Sequence, residues 1–173
     1  MTAPTGRQRT RESKRLHIIL RDGNLVEGAI HIAEDMSLVA FLGSRKGGFV
    51  NMVDAHRPKL QEARGHLIVQ TALAVLVTAP DANMAVVGPA GSGQGEREVE
   101  LHLVGGKSLR GTMSLAPMQR MSDYLHHCGQ FVGISKAVLV AENKPVGDVA
   151  VNISAIAMIR EARDESAAEP ASG

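Results

Sequence analysis

The side chains able to do chemistry fall into three groups. His126-His127-Cys128 puts three metal-capable groups in a row, with Ser122 and Asp123 just before them. Asn152 is a polar residue within an apolar closing segment. The run Gly88-Pro89-Ala90-Gly91-Ser92-Gly93-Gln94-Gly95 has the glycine density of a phosphate cradle. Each group has a test. Adjacent residues point in different directions on a strand or helix, whereas metal sites use spaced pairs. The His-His-Cys run therefore reads as exposed histidines beside a buried cysteine, and His17, His31, His66 and His102 fall mostly on polar strand positions. A phosphate loop needs Lys and then Ser or Thr after its second glycine. Gln94 and Gly95 stand there, and Glu96 stands where a dinucleotide loop has its third glycine. A Cys128 nucleophile would need a base in reach and a group to orient it, and the spacing supplies neither. The expectation is no enzyme, no cofactor and no metal. Ser122 is expected to cap a short helix with Asp123 in its first turn. Asn152 is expected to bond across a corner between two strands or to touch a ligand. Ser122, Asp123, His126, His127 and Asn152 are the candidate interaction residues.

Composition narrows the field. Hydrophobic residues make up 44% and aromatic residues 2%, so the core must be aliphatic. With 19 basic and 18 acidic residues the formal net charge is +1, which argues mildly against a dedicated nucleic-acid binder. Tyr124 and the three Phe are expected in the core, leaving few base-stacking platforms. One cysteine fits a reducing compartment. The N-terminus lacks an apolar run, and no stretch approaches the length of a spanning helix. The expectation is a soluble, cytoplasmic protein without membrane insertion.

Positions for these groups come from local patterning. Residues 1–14, with Arg7, Arg9, Arg11 and Lys14, read as a disordered basic arm and a candidate nucleic-acid contact. Residues 15–79 read as strands separated by glycine turns, with Met36–Leu42 open between buried strand and helical turn. Residues 80–97 read as a Gly/Pro-rich linker in which 84–87 could pair as a short strand. The strand pattern then restarts over 98–161, and residues 162–173 read as a disordered tail. The halves align at an offset of about 82–83 positions, with a one-residue slip between the second and third pairs: Gly23 with Gly106, Gly28 with Gly111, Phe49 with Phe131, Val69 with Val151. Each half is marginal alone, so the copies are expected to pack on each other or on another chain. A phase change at Ser154-Ala155 implies a corner between the last two strands. The predicted fold is all-β with short helical turns, as two tandem small bent β-barrels.

Leu20-Arg21-Asp22-Gly23, Gly28 and Asp35-Met36-Ser37-Leu38 resemble the first motif of Sm-like proteins, a small SH3-like barrel family. Gln70-Thr71 and Asn152-Ile153 stand where its RNA-binding members carry Arg-Gly. The second half also resembles bacterial domains of uncharacterised function, through Gly106, Gly111, Ser122, Asp123, Leu125, Phe131, Val151, Asn152 and Ile156. The resemblance implies a binding module. The expected function is a non-catalytic interaction or scaffold protein with a protein partner or self-association through strand edges. The alternatives are an Sm-like RNA-binding regulator using the arginine arm, and a sensory module holding a small charged ligand between the barrels.

Overall fold

Period-2 alternation of apolar residues makes strands of most of the chain. The computed structural model describes residues 11–45, 48–81, 84–88 and 95–161. The first half runs β1 (Arg11–Leu20), β2 (Leu25–Ala33), α1 (Leu38–Gly43), β3 (Phe49–His56), β4 (Gly65–Gln70) and β5 (Ala74–Thr78). The second half repeats that order as β6 (Gly95–Leu103), β7 (Ser108–Leu115), α2 (Met121–His127), β8 (Phe131–Leu139), β9 (Lys144–Asn152) and β10 (Ile156–Glu161). A 3-10 turn links the last two strands of each half, at Thr71–Leu73 and at Ile153–Ala155. The second of these is the corner expected at Ser154-Ala155.

The strands form one antiparallel 10-stranded sheet in the order β10-β6-β7-β8-β9-β5-β1-β2-β3-β4. The sheet is open and continuous across the two halves, rather than divided into two closed barrels. The cause is β5, which pairs with β1 on one side and β9 on the other. Within each half the strands bend sharply at matching places. The registers of β3 and β8 shift between Met52 and Ala55 and between Ile134 and Ala137. Asp54 and Lys136 sit at those shifts with φ of 48° and 52°, and such bulges bend a strand and raise its twist. The bends let β2 approach β3, and β7 approach β8, at Gly28 and Gly111. Two aliphatic cores result. One gathers β1, β2, α1 and β3 around Leu16, Ile30, Phe41 and Met52, and the other gathers β6, β7 and β8 around Leu101, Leu109, Met113 and Ile134.

Several expected boundaries move. The first strand already includes Arg11, ahead of the expected residue 15, because β2 is long enough to offer Arg11 and Lys14 ladder partners at Ala33 and Ile30. Arg11 and Lys14 are therefore strand residues, while Arg7 and Arg9 lie outside the described residues, as does the tail 162–173. Leu38, Phe41 and Leu42 share one helical face, so Met36–Leu42 resolves as α1. Ser37 caps it, its Oγ accepting from Ala40 N at 3.3 Å. The linker is shorter than expected. Gly95–Arg97 already belong to β6, and Met84 and Val86 are buried. Residues 84–88 form no strand but are tied to α1, with Leu38 N donating to Ala85 O at 2.9 Å and Val39 N to Val86 O at 3.1 Å. Among the described residues no helix is long and apolar enough to cross a membrane.

Candidate functional site

The joint between the halves is built from β5 and β9. Leu76, Val77 and Thr78 pair with Val151, Ala150 and Val149. Asn152 closes the end of this ladder and is fully buried. Its Nδ2 donates to Thr71 O at 3.1 Å and to Ala74 O at 2.9 Å, both in the other half. Its Oδ1 accepts from Ser154 N at 3.1 Å and Ser154 Oγ at 2.8 Å. Every polar atom of the amide is thus used. Arg21 adds a second clasp, its guanidinium donating to Ser154 O at 2.9 Å and Ser154 Oγ at 2.7 Å. The first half also covers one face of β8 and β9. Phe131 and Ala150 belong to the first half's core, and α1 and residues 84–88 lie over β8. Gly133 makes room there, since a β-carbon on it would sit 2.6 Å from Val87 Cγ2.

The same face of β3 and β4 has no such cover among the described residues. Phe49 pairs with Gln70 as Phe131 pairs with Asn152, yet Phe49 is 51% exposed and Phe131 2%. Ile68, paired with Asn51, is 62% exposed. Phe49, Val53 and Ile68 form an apolar stripe beside the outer edge of β4. Phe49 was expected in the core. It falls on the outer face because Val50 and Met52 take the inner one. This stripe and edge are the candidate site. Contiguous exposed apolar surface on a sheet edge marks an interaction site.

The residues singled out from sequence divide differently. Ser122, Asp123, His126 and His127 all lie exposed on α2, and Asn152 bonds to none of them. Ser122 is not the cap. Tyr124 N donates to Arg120 O at 3.0 Å, so Arg120 holds the cap position ahead of Met121, and it makes no side-chain cap bond. His127 Nδ1 lies 2.7 Å from Asp123 O within the helix. The Cys128 Sγ donates to Leu125 O at 3.5 Å, and burial pushes its thiol up, away from the reactive thiolate. No group of three or more His, Cys, Asp or Glu gathers as a metal cluster among the described residues.

In sequence Glu100 stands among the polar residues that alternate with Val99, Leu101 and Leu103, but it is only 6% exposed. Its ladder partners are Arg110 on β7 and Arg160 on β10. Arg160 donates to both carboxylate oxygens at 3.1 Å and Arg110 to one at 3.4 Å. No spacing rule within one strand reveals a charge triplet across three strands. The Arg160 hydrogen bond holds the carboxyl below its ordinary value of 4.5, burial opposes this, and Arg110 adds to the lowering. A depressed carboxylate stabilises the fold above its ordinary value and loses that contribution as pH falls through the lowered one. Glu100→Gln is therefore expected to be less stable at neutral pH and to lose less stability than wild type on acidification below about 4.5, measured by urea unfolding across pH. In the first half the pair is reversed: His17 holds the place of Glu100 and Glu27 that of Arg110, with Glu27 3.9 Å from His17 Nε2 and 3.6 Å from His56 Nε2.

Comparison with protein-family models, curated proteins and solved structures returned no match for this chain.

Proposed function

We propose that this chain is a non-catalytic protein-interaction module of scaffold type. Its halves are small bent barrels of SH3-like or Sm-like kind, joined edge to edge, and its partner docks by adding a strand to the outer edge of β4. The carrying observation is the apolar stripe of Phe49, Val53 and Ile68 beside that edge, exposed among the described residues. Strand addition takes affinity from main-chain hydrogen bonds and specificity from the side chains beside them. β4 bears no Lys, Arg, Asp, Glu or Pro, the residues with which sheet proteins usually block an edge. The single free cysteine, Cys128, supports a cytoplasmic setting.

A photo-crosslinking side chain at position 68, compared with one at exposed Lys107 on the opposite half, tests the reading in native lysate. The expected result is protein conjugated at 68 and not at 107. RNA conjugated at 68 would favour the RNA-binding reading instead, and no conjugate at 68 would end the strand-addition reading.

A further inference from the structure

We infer that the occupant of the β4 edge is a second copy of this chain, docked head to tail through its own β10 edge and α2 face. The inference rests on the interaction-module reading above and names the partner of that site. Its template is the joint the chain already makes with itself.

That joint has two sides. One is the last strand and the helix of the first half, β5 and α1. The other is the third and fourth strands of the second half, β8 and β9. Each side has a counterpart left open among the described residues. β10 corresponds to β5, since Leu101 pairs with Ile159 as Ile18 pairs with Val77. β4 corresponds to β9 through the matching Phe49–Gln70 and Phe131–Asn152 pairs. These two strands are the ends of the sheet. The open surfaces are thus the two complementary halves of one joint, on opposite ends of the molecule.

Burial follows the same division. On α1, Leu38, Phe41 and Leu42 are buried. On α2 the corresponding Met121, Tyr124 and Leu125 are each only partly covered, and no residue of that helix is buried. Leu76 is 3% exposed and its counterpart Met158 56%. Ala150 is fully buried and its counterpart Ile68 62% exposed. Carrying the internal register outward sets Met158 opposite Val69, Ile159 opposite Ile68 and Arg160 opposite Leu67. The most exposed apolar residue of each edge then enters the joint. The charges on β10 do not oppose this, because Arg160 is held by Glu100 and Glu161 by Arg97, both on β6. Pairing β4 with β4 would leave β10 and α2 uncovered. A head-to-tail joint repeats, giving a ring where the rotation closes and a filament where it does not.

Sedimentation velocity of the full chain from about 1 μM to about 1 mM tests this. Wild type is expected to form multimers. Ile68→Glu and Met158→Glu are each expected to weaken self-association by about a hundredfold or more, since each puts a charge at the centre of the joint. Both positions are exposed, and circular dichroism with thermal unfolding checks that each variant folds. Mixed in equal amounts, the two variants have one intact β4 edge and one intact β10 edge between them, so a two-chain species and nothing larger is expected. Phe49→Ser, on the face the second copy would cover but off the ladder, is expected to weaken the multimer without blocking the edge. A wild type monomeric at about 1 mM overturns the inference. So does either Glu variant that alone associates as tightly as wild type, because that contact would be like with like. A monomeric wild type that still crosslinks another protein at position 68 ends the self-pairing and leaves the interaction-module reading standing.

Discussion

Asn152→Leu is expected to lower the free energy of unfolding by about 3 kcal/mol or more, measured by urea denaturation at low protein concentration. Leucine matches the amide in size but supplies none of its four hydrogen bonds. Two of those bonds reach Thr71 O and Ala74 O across the joint, and the others hold Ser154 in the 3-10 turn. Asn152 is fully buried, so water does not replace the two bonds across the joint. A buried polar group left unpaired costs about 1–3 kcal/mol, and this change takes a donor from each of Thr71 O and Ala74 O across the joint. The control is Gln70→Leu. Gln70 holds the corresponding place on β4, where it is exposed, and the same chemical change there is expected within about 0.5 kcal/mol of neutral. Equal losses at the two positions would show that Asn152 acts within its own half and not as the clasp between halves.

Gly111→Ala is expected to cost about 3 kcal/mol, read as a lowered thermal and denaturant midpoint. A β-carbon on Gly111 would lie 2.5 Å from Ile134 Cγ2 and 2.8 Å from Ser135 O. The second contact is backbone, so β7 and β8 must separate at the bend. Gly28 meets the matching obstacle, 2.7 Å from Ala55 Cβ and 3.0 Å from Ala55 Cα. By contrast Gly43, at the end of α1, has nothing within 4 Å, and Gly43→Ala is expected to be neutral or to stabilise by up to about 1 kcal/mol. If Gly111→Ala proved as mild as Gly43→Ala, the bend in the second half would not depend on so close an approach of β7 to β8.

Much of this architecture was legible in the chain. Alternation such as Val99, Leu101 and Leu103 against Glu98, Glu100 and His102 marks a strand through local spacing alone, and most strands were placed this way. The matched glycines exposed the second half as a copy of the first in pattern. The site was far less legible. Ser122, Asp123, His126 and His127 drew attention by residue type, yet they are exposed positions on a short helix. Phe49 and Ile68, which form the candidate site, look in sequence like any core residues.

By itself, the sequence determined the strands, the glycine-dependent bends and the two-fold pattern, because each depends on neighbours a few residues apart. Only the tertiary structure decided which strand edges meet and which stay open. Phe49 and Phe131 occupy the same place in the same motif, as do Gln70 and Asn152, and in each pair one is buried and the other exposed. The difference lies in what covers them. β5, α1 and residues 84–88 cover the second half's face from a distance along the chain that no local pattern spans, and nothing described covers the first's.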